Sequence, residues 1–224
     1  MNEAILREAN QLPAIRAAQR DYILMDGSGS MSTKWWDSLA AVDAYVQTLR
    51  EGHVATRLTL ATFSGPDYLD LIGRDVETLD QWQPLMAKPI GSTWGGTPLY
   101  DAINVMLRKL RDEDPIRCAI TIVTDGRAGL SHFTDQTQCT AMLNWAKAKG
   151  WSVTFIGCDW DNSEQARSLG LVPSQAIGVQ KALLADAARE LARKRTIYGA
   201  TGAPMHWSES EQRQFGGYLA APTQ

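Results

Sequence analysis

Sulfur and imidazole are scarce in this chain. It carries three cysteines and three histidines in 224 residues, and no C-x-x-C or Cys/His pair stands at zinc-ligand spacing. Three cysteines cannot form a closed disulfide set. Cys118 and Cys158 lie in or next to strand-like runs and Cys139 in a helical one. All three are expected to be small buried hydrophobes in a reducing compartment. Long apolar runs are missing too, since none approaches the roughly 18 residues of a membrane span. The N-terminal stretch MNEAILREANQLPAIRAAQR is charged throughout and has no secretory apolar region. Blocks of one charge sign are also absent: 22 basic and 25 acidic residues are scattered, for a net charge of −3. A dedicated nucleic-acid binder would show a basic stripe instead. These absences point to a soluble cytoplasmic protein with neither a nucleic-acid nor a membrane partner.

What is present is enough for a core. Hydrophobic residues make up 44% of the chain, and the length suits one domain with a short appendage. Residues 3–20 read as a short helix interrupted by Pro13. The run DYILM (21–25) reads as a buried strand. In the segment that follows, Trp35, Leu39, Val42, Val46 and Leu49 share one helical face, with Ser32 or Thr33 as the cap and Gly52 as the stop. Trp36 falls off that face. Strands are expected at 54–65 and 68–73 as an antiparallel hairpin, then at 117–126, 151–159 and 175–179. Helices are expected after Pro98, over 134–150, over 162–170 and over 180–195.

This alternation predicts an α/β fold of three layers, doubly wound, with a mostly parallel six-stranded sheet and one antiparallel edge strand. The expected organisation is an N-terminal helical extension (1–20), the domain proper (21–198) and a C-terminal tail (199–224). The tail is rich in Gly, Pro and polar residues and has no core of its own.

The stretch MDGSGSMST ends the first strand in one carboxylate followed by glycines and hydroxyls. A tight turn, a phosphate cradle and a seat for a hard metal ion are the three readings. A Walker A loop is excluded because no G-K-[ST] follows. A dinucleotide fingerprint would need a third glycine where Ser32 stands, and an acidic end to the second strand. A serine hydrolase would need a G-x-S-x-G elbow and a histidine. His53 closes a helix, His206 lies in the tail, and His132 reads as a loop residue.

In an open α/β sheet, ligands sit outside the carboxyl ends of the strands. Asp26 follows the first strand directly, and Asp125 follows the AITIVT strand directly. If those strands are neighbours, both carboxylates face one crevice, where a cation relieves their repulsion. Ser28 and Ser30 follow Asp26 at alternate positions. An all-oxygen donor set suits Mg²⁺ rather than Zn²⁺.

Here the residues resemble a family. DGSGSMS is similar to the Asp-x-Ser-x-Ser signature of von Willebrand factor A domains, GGTPLYDAI to their threonine loop, and VTDG to their second aspartate segment. The resemblance spans about residues 20 to 195. It implies a Rossmann-like fold with a complete metal-ion-dependent adhesion site, in a small intracellular protein of the bacterial or phage type. It also implies Mg²⁺, or alternatively Mn²⁺, at Asp26, Ser28, Ser30, Thr97 and Asp125, with the aspartates acting in part through water. The partner is then a protein that presents an Asp or Glu to the ion. No enzymatic activity is expected, metal-assisted hydrolysis being the rival.

Lys34, Trp36, Trp94, Arg127 and Trp160 should share the rim around the ion by sequence proximity, as partner-binding residues. The alternative for each tryptophan is packing on a neighbouring helix. Trp35 is expected to pack, whereas Trp94 and Trp160 stay open. A second function is assembly or regulation beside an AAA-type ATPase or a stress-response system. For the tail, with Trp207, Phe215 and Tyr218, docking on such an assembly, disorder and folding back on the same chain all stay open. In many family members the last helix shifts when the metal shell changes, and residues 180–198 occupy that position.

Overall fold

The structure is a computed structural model and describes residues 19–65 and 69–216. The expected N-terminal helix (most of 1–20) and Tyr218 lie outside the described residues. Six strands form one sheet: β1 (Gln19–Asp26), β2 (Arg57–Ser64), β3 (Asp70–Val76), β4 (Arg117–Thr124), β5 (Ser152–Cys158) and β6 (Ala176–Val179), in the spatial order β3-β2-β1-β4-β5-β6. Every pairing is parallel except that of β2 with β3, which makes β3 the antiparallel edge. The helices are α1 (Trp35–Glu51), α2 (Leu99–Glu113), α3 (Gln136–Ala148), α4 (Ser163–Ser168), α5 (Leu184–Thr201) and α6 (Glu209–Gly216).

Strand alternation builds the two faces. Ile23 and Met25 of β1 point into one apolar cluster with Leu39, Val42 and Val46 of α1 and Leu191 of α5. Tyr22 and Leu24 point the other way, onto Ile103, Met106 and Leu107 of α2 and Leu143 of α3. β1, β2, β4 and β5 are buried on both faces, which is why apolar, β-branched and aromatic residues are common in them, whereas the edge strand β3 is partly exposed and more polar. This is the three-layer, doubly wound architecture expected from the sequence.

Two local readings change. Neither Ser32 nor Thr33 caps α1. A 3-10 turn over Gly29–Thr33 comes first, and Lys34 stands at the helix boundary with no side-chain cap. That turn buries Met31 completely, and its carbonyl accepts the Lys34 N–H at 2.9 Å. Seating the methionine in the core outweighs a hydroxyl cap.

The stretch read as a coreless tail is packed. Met205, Trp207 and Phe215 are buried in the α1/α5 cluster. The Trp207 N–H donates to the Ser174 carbonyl at 2.7 Å, and the Gln180 N–H donates to the Phe215 carbonyl at 3.0 Å. Three well-spaced apolar residues among Gly, Pro and polar ones carry no helical or strand period, so local pattern could not reveal this docking.

Candidate metal centre

β1 and β4 lie side by side, with Met25 opposite Val123. Asp26 therefore ends one strand where Asp125 leaves its neighbour. Chain direction across the sheet reverses at this point, since β2 and β3 build to one side of β1 and β4, β5 and β6 to the other. A crevice is expected at the carboxyl ends of strands at such a switch.

Asp26 is completely buried. Its Oδ1 accepts the backbone N–H of Ser28 at 2.7 Å, an Asx-type turn that starts the loop. Its Oδ2 accepts the Thr124 hydroxyl at 2.6 Å. Burial pushes its carboxyl up to about 6, against the opposing pull of the Thr124 and Ser28 hydrogen bonds, and the nearby Asp125 charge adds to the rise. The Ser28 and Ser30 hydroxyl oxygens are 3.0 Å apart. Ser30 donates to Asp125 Oδ1 at 2.6 Å, and Lys34 Nζ lies 2.5 Å from Asp125 Oδ2. The Asp125 side chain is 1% exposed.

Thr97, also buried, sits on the loop that ties the other two together. On one side, Gly29 N–H donates to the Gly95 carbonyl at 3.0 Å and Trp94 N–H donates to the Gly27 carbonyl at 2.9 Å. On the other, Gly129 N–H, from the loop after Asp125, donates to the Thr97 carbonyl at 3.2 Å. Gly95 has a φ of +65°, a conformation that only glycine adopts at little cost. At Gly96 an added Cβ would lie 2.1 Å from Leu130 Cδ1. The threonine loop therefore packs close because these two positions lack side chains.

Among the described residues, no group of three His, Cys, Asp or Glu side chains is placed to hold a metal. An ion here depends on hydroxyls beside two carboxylates. That donor set fits a hard cation such as Mg²⁺. The Asp26 carboxyl, raised by burial, would be held ionised more easily beside such a cation.

The remaining sequence-predicted residues are spread differently. Lys34 reaches inward to Asp125 rather than standing free on the rim. Trp36 is 54% exposed in the first turn of α1. Arg127 is exposed and paired with Glu164. Trp94 is half-buried on the threonine loop. Trp160 is half-buried against the α2/α3 cluster, so it spends part of its surface on packing. His132 is exposed.

Two residues of the site carry no signal that sequence reasoning used. Thr124 holds Asp26, and its only clue is a hydroxyl ending an otherwise apolar strand. Asp101, in the first turn of α2, accepts the backbone N–H groups of His132 and Phe133 at 2.8 and 3.1 Å. It thereby pins the loop that follows Asp125.

No family model matches the sequence, and no curated protein matches it. Solved structures do resemble it. A von Willebrand factor type A protein from Catenulispora acidiphila superposes with a TM-score of 0.60 at 17% identity, over 80% of this chain and 42% of that one. The vWF domain of a type V pili tip protein from Porphyromonas gingivalis gives 0.62 at 11% identity, over 80% of this chain and 95% of that domain. The pilus adhesin SpaC from Lactobacillus rhamnosus GG gives 0.57 at 13%, over 81% of this chain and 30% of that one. The chain thus spans less than half the length of the first and third of these proteins. At such identities the likeness speaks for the fold alone, and that fold is the von Willebrand factor A fold.

Proposed function

We propose, starting from a von Willebrand factor A fold whose strand switch gathers two aspartates and a serine loop, that this chain is a divalent-cation-dependent protein-interaction module. Asp26, Ser28, Ser30, Thr97 and Asp125 hold Mg²⁺, or Mn²⁺ in its place, and the ion accepts an Asp or Glu side chain from a partner protein. The observation that carries the reading is the direct link from the serine loop to the second aspartate, Ser30 Oγ to Asp125 Oδ1 at 2.6 Å. Both Asp26 oxygens are already taken by local donors, which suits an aspartate acting through bound water. An ion held largely by neutral hydroxyls and water keeps most of its positive charge. An incoming carboxylate is then a strong ligand for the remaining position.

Two of the similar structures are a pilus adhesin and the domain of a pili tip protein, and such roles agree with a binding module. We assign no catalytic residue. An assembly role beside an AAA-type ATPase would need contacts other than Trp207 and Phe215, which face the core.

Titration calorimetry with MgCl₂ and MnCl₂ tests the reading. One-site uptake by the wild type that Asp125→Ala abolishes, with the circular dichroism of the variant unchanged, is the expected result. Heat identical to buffer dilution for the wild type and for every neutral replacement of Lys34 would dismiss the metal. Phosphatase, nuclease or ATPase turnover with either ion would dismiss the non-enzymatic part.

A further inference from the structure

We infer that Lys34 is a tethered cation that competes with the divalent ion for Asp125 and so sets the affinity of the site. The inference rests on the metal reading above and concerns how that site is tuned. Lys34 is fixed by its backbone: its N–H donates to the Met31 carbonyl at 2.9 Å, and its own carbonyl accepts from both Ser38 N–H and Ser38 Oγ at 2.9 Å. From this boundary between the 3-10 turn and α1, its side chain runs inward. It is only 18% exposed, unusually covered for a lysine, and its ammonium ends 2.5 Å from Asp125 Oδ2.

The other Asp125 oxygen is occupied by Ser30. The carboxylate an ion needs is therefore satisfied on both sides without one, and its charge is already balanced. A divalent cation drawn to the same carboxylate meets an ammonium a few ångströms away, in a place with little water to screen the repulsion. Either the lysine swings out or the ion binds weakly. A lysine stem is flexible and its head is well hydrated once free, so ejection is the available route. The ejected ammonium emerges at the start of α1 beside the exposed Trp36. Partner acids arriving at the ion would then meet a second positive group.

Replacing Lys34 by methionine keeps the apolar stem and removes the competitor. Lys34→Gln serves as a second neutral variant in case the first packs badly. Titration calorimetry with MgCl₂ on the wild type and both variants should show at least about tenfold tighter binding to the neutral variants. Affinities equal to the wild type, or weaker, overturn the tethered-cation role while leaving the metal reading in place. Uptake by none of the three proteins removes the metal reading, and this inference falls with it. Uptake by the neutral variants alone supports the inference in its strongest form.

Discussion

Asp26 is held by two short hydrogen bonds and reached by no solvent. Its pKa of about 6 in the fold, against an ordinary 3.8, makes it a burden on stability once it ionises. Between those values the native state holds a proton that the unfolded chain has released. Stability therefore falls as pH rises from about 4 to 6 and stays lower above. Asparagine would remove this dependence and still fit: its oxygen can accept from Ser28 N–H while its amide donates to Thr124 Oγ1, whose hydrogen turns to the Gly126 carbonyl 3.2 Å away. With EDTA present at pH 7.5, Asp26→Asn should be more stable than the wild type by about 3 kcal/mol, read from urea midpoints. At pH 4 the two should converge. Parallel curves across this range would contradict the assignment. The same substitution should end Mg²⁺ uptake, a trade of stability for function that is common at binding sites.

The last long helix is fastened to the sheet at the end opposite the aspartates. Arg195 of α5 and Asp21 of β1 are both buried, with Arg195 Nε 2.9 and 3.0 Å from the two carboxylate oxygens. Tyr45 of α1 and Thr56, just before β2, each donate to Asp21 at 2.6 Å. Three elements and the loop before β2 thus share one buried charge pair. Tyr198 adds a second fastening, donating to the Gly150 carbonyl at 2.9 Å. Removing one partner of a buried pair strands the other charge, so Arg195→Met should lose about 3 to 5 kcal/mol. The double variant Asp21→Asn/Arg195→Met should recover part of that loss. Denaturant unfolding decides it, and a single variant within about 1 kcal/mol of the wild type would show the pair to be idle.

At the scale of the whole molecule, the chain beyond α5 closes the core. Trp207 and Phe215 meet edge to face with ring centres 6.0 Å apart, and Lys194 of α5 lies over the indole at 5.5 Å while pairing with Glu211 at 2.6 Å. Gln212 of α6 donates its amide to the Ala176 carbonyl of edge strand β6 at 3.1 Å. The segment therefore covers both an apolar face and a sheet edge, the latter a hazard when left bare. Trp207→Ala should cost about 3 to 5 kcal/mol, and a chain ending at residue 201 should melt well below the full one in a thermal scan. A truncated chain as stable as its parent would contradict this closing role.

The layered sheet was legible in the sequence because strand and helix period are local properties, written in residues a few positions apart. The apolar run closing on Asp26, the alternate serines and the second run closing on Asp125 likewise announced an oxygen-rich site before any coordinates. What depended on the tertiary structure was everything set by partners far apart in the chain. Ser30 meets Asp125, and Thr124 meets Asp26, only because β4 lies beside β1. Lys34 could be placed near the site by sequence, but its inward direction follows from the 3-10 turn that seats Met31. The docking of Trp207 and Phe215 follows from a cleft made by α5 and β6. Hydrophobic period reports which face of an element is buried. Which hydroxyl or ammonium ends up against which carboxylate is decided by strand order and loop closure together, and no short window of sequence contains both.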